Sequence, residues 1–172
     1  MSIPDEATRI KAVHHVVHDY ANLVSSGMLT QAGPAQMAGI RPPVNSHIQH
    51  AFLLNCRKMA GFFKNDPKRN DDIVANHFTS TSETFNLNEW DNWGRALDKQ
   101  LAHLTYTRVT APVPWDGYIV NNLLLNELQA DWKYFLTRLH NSFKQVFDEE
   151  IAKKKQPYPN GDESEFKDLD LR

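Results

Sequence analysis

The sequence predicts an all-α protein, a bundle of four to five helices, and three observations carry that prediction. Apolar residues recur at three- and four-residue spacing over five separate segments, no segment alternates apolar and polar residues as a half-buried strand does, and the sharpest breaks in periodicity fall at glycine and proline clusters. No internal repeat is present. With 172 residues, 41% of them hydrophobic, the chain can bury a core without disulfide or metal staples.

The first element runs from Asp5 to about Ser26, where Ile10, Val13, Val17, Tyr20 and Val24 share one helical face. Gly27, Gly33, Pro34, Gly39, Pro42 and Pro43 follow, and they predict a long surface connection. Asn45 or Ser46 caps the second helix, which ends near Lys64. Ile48, Phe52, Met59, Phe62 and Phe63 lie on one side of it and Leu53, Leu54 and Ala60 toward the other, so it reads as the buried central helix, with a polar strip of His50, Arg57, Gly61 and Lys64. A charged turn, NDPKRNDD, leads into a short helix from Asp71 to about Phe78, whose two leading aspartates suit the positive end of its dipole.

The fourth helix spans about Leu87 to Thr107, with Trp90, Trp93, Leu97, Leu101 and Leu104 in one stripe, and Pro112 and Pro114 end it. The last runs from about Tyr118 to Ile151. Leu128, Trp132, Phe135, Leu139, Phe143 and Val146 continue a single seam through it for roughly 50 Å at 1.5 Å per residue. Residues 1–152 therefore form the bundle domain, and 153–172, with mixed charge and little apolar content, read as a flexible or loosely docked tail.

Composition excludes several function classes. The single Cys56 rules out an internal disulfide and a cysteine-type zinc fold, and a reducing, cytoplasmic compartment is the expected setting. No stretch approaches the roughly 18 to 20 apolar residues of a membrane span, and MSIPDEATRIK lacks the layout of a signal peptide, so no membrane partner is expected. Nineteen basic against 21 acidic side chains leave a net charge of -2, which removes a global basic field. Nucleic-acid binding would have to come from a local patch.

Two stretches resemble a group of uncharacterised bacterial helical proteins. NCRKMAGFFKNDPKRNDDIVA (55–75) is similar to a pattern HARxLxxFF…DDVxA, and ALDKQLAHLTYTR (96–108) to xNKxxAHLTYxR, the latter also resembling the core of HEPN-type bundles. The resemblance implies a bundle whose shared polar residues converge between the second and fourth helices: Arg57, Asp71, Asp72, Lys99, His103, Thr105 and Arg108. It also implies an RNA-directed role in defence or toxin–antitoxin systems, with a homodimer or a cognate partner protein. The chain departs from the pattern at Asn55 and Cys56, which replace His and Ala, and at Asp98, which replaces Asn. HEPN ribonucleases carry an arginine with four to six residues between it and the histidine, and Asp98, Leu97 and Ala96 stand at those intervals before His103 here. Arg95, with seven residues between it and His103, lies about 80° away on the helical wheel.

Two readings of the polar residues stay open. In the catalytic one, a metal-independent ribonuclease, His103 is a general base on an RNA 2′-hydroxyl, Arg57 supplies charge to the phosphate, and Lys99 and Asp72 complete the site. In the other, Arg57 and His103 pair with Asp72 or Asp98 in a buried network that fixes helix register, and the chain is a non-catalytic interaction bundle.

Histidines offer a weaker pattern. His14 and His18 share a helix face and could form half a metal site with His47 and His50, but His15 points away and no carboxylate is spaced to complete it, so no metal or other cofactor is expected. Residues 41–69 hold Arg41, Arg57, Lys58, Lys64, Lys68 and Arg69 against Asp66 alone, either a phosphate-binding surface with Phe62 and Phe63 for stacking or a solvated rim over core phenylalanines. Trp90 and Trp93 have core spacing, and Cys56, between two apolar faces, reads as an inert thiol.

Overall fold

A computed structural model describes residues 3–31, 42–69, 71–94, 117–157 and 162–172, with helical side chains described from 47 in the second helix and from 119 in the helix after residue 117. Among the described residues the protein is all-helical, with one isolated bridge and no sheet. The elements are α1 (Glu6–Gln31), α2 (Pro42–Lys64), a single 3-10 turn (Ala75–His77), α3 (88–94, where description ends), α4 (Gly117–Arg138) and α5 (Asn141–Lys155).

Asp5 starts α1 by accepting hydrogen bonds from the Thr8 amide (2.8 Å) and hydroxyl (3.0 Å). Val13, Val17, Tyr20 and Val24 are buried as the periodicity predicts, whereas Ile10 at the outer end of that stripe is partly exposed. The helix does not stop at Ser26. It continues through Gly27 to Gln31, so the predicted connection begins later than its first glycine suggests, and its remainder lies outside the described residues. Gly27 serves packing: a Cβ there would stand 2.8 Å from Leu125 Cδ2 and 3.1 Å from Phe52 Cε2, so the missing side chain lets α1, α2 and α4 converge.

α2 begins at Pro42, earlier than the Asn45 or Ser46 cap, because proline suits the first helical turn, where its missing N–H costs nothing. It is not buried all round. Phe52, Leu53, Cys56, Met59, Ala60, Phe62 and Phe63 face the core, but Leu54 is 51% exposed and shares an open strip with Arg57, Lys58, Gly61 and Lys64. The helix that packs against α2, α4 and α5 alike is α1. Asn65, at a φ of 52°, ends α2 in the left-handed conformation that asparagine tolerates.

The single long helix predicted from 118 to 151 is two helices. Strand-like pairing breaks it: the His140 amide donates to the Phe78 carbonyl (2.8 Å) and the Ser80 amide to the Arg138 carbonyl (3.3 Å). His140 is extended and its Nδ1 accepts from the Ser142 amide (3.3 Å), capping α5. The apolar seam concealed this because Leu139 and Phe143 stay buried on both sides of the break. Phe147, rather than Val146, then carries the seam into the core. The predicted short helix at 71–78 reduces to the 3-10 turn, since the chain is already extended at Val74 to reach that pairing.

The segment 162–172 also differs from the tail expected of it. Phe166, Leu169 and Leu171 are buried in the main core, Trp132 Nε1 donates to the Leu171 carbonyl (3.0 Å), and Asp170 and Arg172 pair with Lys133 (3.2 Å) and Asp148 (3.0 Å). Three apolar side chains in the right register suffice for docking, although average composition suggested otherwise. The core itself is dominated by rings in edge-to-face contact, with Phe78, Phe135 and Phe147 at its middle.

Candidate functional site

The exposed strip of α2 follows from spacing alone. Leu54, Arg57, Lys58, Gly61 and Lys64 recur at three- and four-residue intervals, which places them in one row. Beyond Asn65, residues 66–69 and 72–74 lie alongside this row, and the two together form an open groove of about 580 Å³. Arg57, Lys58, Lys64, Lys68 and Arg69 line it, against two carboxylates, Asp66 and Asp72. Leu54, Phe62, Ile73 and Val74 contribute apolar lining.

Three of the groove's cations sit in open ion pairs. Lys58 pairs with Asp19 (2.8 Å), Lys64 with Asp91 (3.0 Å) and Lys68 with Asp66, all through side chains substantially open to solvent. Exposed pairs of this kind contribute about 0 to 1 kcal/mol each, so a phosphate oxygen can compete for the same ammonium groups. Asp72 is committed differently. Its Oδ2 accepts from the backbone amides of Lys68 (2.6 Å) and Arg69 (2.8 Å), and those two bonds hold its carboxyl below the usual carboxylate range.

Of the residues assigned to a catalytic site, Arg57 and Asp72 meet in this groove, while Lys99 and His103 lie outside the described residues, as do Thr105, Arg108, Asp98 and Arg41. Asp71 lines a separate hollow with Arg9 and His77. Arg57 is exposed on α2, and His103 and Asp98, with which the other reading pairs it in a register-fixing network, lie outside the described residues. Phe62 and Phe63 are buried and pack on Phe135, which makes them core residues and removes them as a stacking platform. Trp90 is buried and Trp93 packs against the core, as their spacing predicts. Cys56 is fully buried, and burial pushes its thiol well above the ordinary range.

A polar network around a buried carboxylate does exist, built on residues that sequence reasoning passed over. Glu83 receives hydrogen bonds from the Thr81 hydroxyl (2.5 Å), the Tyr134 hydroxyl (2.6 Å) and Arg138 Nε (2.9 Å), which hold its carboxyl down to about 2. Its backbone is tied as well: the amide donates to Asn76 Oδ1 (2.8 Å) and the carbonyl accepts from Asn65 Nδ2 (3.1 Å). On α4, Glu127 accepts from the Glu89 and Trp90 amides (2.6 and 3.0 Å) and caps α3 from outside. Asp131 Oδ1 accepts from the Asn86 amide (3.0 Å), but its buried Oδ2 has no partner among the described residues, and burial pushes the carboxyl up to about 6.

His14 and His18 of α1 face α5. His14 Nδ1 lies 3.2 Å from Glu150, and its ring is parallel to that of His18 at 6.3 Å between centroids. His18 lies 3.3 Å from Lys154, and burial together with that charge pushes its imidazole down. Among the described residues no group of three or more His, Cys, Asp or Glu side chains is placed to hold a metal ion, and His47 and His50 do not join the pair on α1 in such a group. No described helix is long and apolar enough to cross a membrane.

The sequence matches no protein-family model, and no curated protein or solved structure matches it. The functional reading rests on the groove.

Proposed function

We propose that this protein is an RNA-binding helical bundle of HEPN-like type, and that it holds the phosphate backbone of RNA in the groove between α2 and residues 66–69 and 72–74. The observation that carries this reading is the gathering of Arg57, Lys58, Lys64, Lys68 and Arg69 in one groove, with two carboxylates in its described lining, in a chain whose overall charge is -2. The described part of the groove offers no exposed ring for base stacking, because Phe62 and Phe63 are spent on the core. Recognition through phosphates alone makes binding strongly salt-dependent and insensitive to base sequence.

Proton transfer is not Asp72's role in this reading, since its carboxylate is engaged by two backbone amides. Binding therefore comes first, and cleavage is a separate question carried by His103. Fluorescence anisotropy with a labelled single-stranded RNA tests the binding step. The triple variant Lys64→Glu, Lys68→Glu, Arg69→Glu should bind at least about tenfold more weakly than the wild type while keeping its helical circular dichroism. Equal affinity in the two proteins would remove the groove from the account.

A further inference from the structure

A carboxylate beside five cations opposes the binding of a phosphate, and the described lining of the groove contains two. They are built differently. Asp66 meets the Lys68 ammonium side chain to side chain, in the open. Asp72 is engaged by backbone instead: its Oδ2 accepts two consecutive amides, of Lys68 and Arg69, and its own amide donates to the Arg69 carbonyl (3.3 Å), which ties Lys68 and Arg69 to Asp72 in a turn. That turn carries the two cations that form the wall facing α2.

We infer that Asp72 is a positioning residue of the groove, one that fixes the turn presenting Lys68 and Arg69 to the phosphates of the RNA. The inference rests on the RNA-binding reading above and gives it a specific internal signature. If charge alone mattered, removing either carboxylate would strengthen binding. With Asp72 as the brace of the turn, the two removals have opposite signs. Asp66→Asn removes a competitor for Lys68 and tightens binding, whereas Asp72→Ala frees two backbone amides and lets the turn open, which disperses two of the groove's five cations. Asp72→Asn keeps an oxygen acceptor at the same place without the charge, and so restores the turn.

The test is RNA affinity in the full chain, measured by anisotropy with a fluorescein-labelled oligouridylate at one fixed salt concentration. Asp72→Ala should bind about fivefold more weakly than the wild type, Asp72→Asn should match the wild type or exceed it, and Asp66→Asn should bind about two- to threefold more tightly. An Asp72→Ala protein that binds as tightly as Asp72→Asn overturns the positioning role while leaving the groove intact. A wild type that binds no RNA overturns the groove itself and the positioning role with it. Should Asp72→Ala fail to fold, the wild type still decides the matter. The NMR amide signals of Lys68 and Arg69 should titrate together with the Asp72 carboxyl as pH is lowered, and amide signals that stay still through that titration would contradict the brace.

Discussion

The two ends of the connection between α2 and α3 use the same chemical groups to opposite effect. Near residue 83 a carboxylate is buried and satisfied by a phenol, a guanidinium and a hydroxyl, with its backbone tied to Asn65 and Asn76. Near residue 68 carboxylates and ammonium groups lie open to water in exchangeable pairs. A buried charge with every partner in place cannot be lent to a ligand without leaving polar groups unsatisfied, so it belongs to the fold. An exposed cation with a weak partner exchanges that partner at little cost, so it is available for binding.

Three substitutions sharpen that contrast. Glu83→Ala should cause the largest loss of stability, lowering the thermal midpoint on the order of 5 to 10 °C, because Tyr134, Arg138 and Thr81 all lose their common acceptor. A midpoint that hardly moves would show that the network holds nothing in place.

Asp131 gives an intermediate effect, read as a pH dependence. Its folded-state carboxyl titrates near 6, above the ordinary 3.8, so the folded state holds its proton over a range where the unfolded chain has released it. Stability therefore falls as pH rises from about 4 to about 6, and the cost is fully present above that range. Urea unfolding at pH 4.5 and 7.5 should show Asp131→Asn losing about 1 kcal/mol of this decline, a value reduced for solvent screening. Glu83 has the opposite sign, since its carboxyl is held down to about 2 against an ordinary 4.5. Its contribution is present above about 4.5 and disappears as pH falls toward 2.

Lys64→Ala should be the smallest of the three in stability, within about 0.5 kcal/mol of the wild type by the same unfolding measurement, because its pair with Asp91 is open to solvent. A large loss there would mean that the groove's cations hold the fold, and the contrast between the two ends would collapse.

What the sequence made legible divides along the same line. The groove could be anticipated because its cations are local in the chain, a helical row at 57, 58 and 64 followed at once by a turn carrying 68 and 69. The Glu83 network could not, because it joins residues 65, 76 and 83 to 134 and 138, and a lone glutamate in a Ser/Thr-rich stretch gives no periodic signal. The helix periodicity was readable from apolar spacing, yet the break at 139–140 was not, since Leu139 and Phe143 keep the seam unbroken across it. His140, Asn141 and Ser142 offered a capping signal that the seam outweighed. Gly27 misled in the other direction: a residue that usually ends helices sits inside one because two neighbouring helices need the space of its missing side chain. The docking of Phe166, Leu169 and Leu171 was hidden by the polar average of the residues around them.

The central claim is that the groove binds RNA through its phosphates, and the salt dependence of affinity tests it most directly. For the wild type, log Kd against log salt concentration should be steep, and in the variant Lys64→Glu, Lys68→Glu, Arg69→Glu the slope should fall by roughly three phosphate contacts' worth, at about 0.7 per contact for a single strand. Identical slopes for the two proteins would contradict the claim.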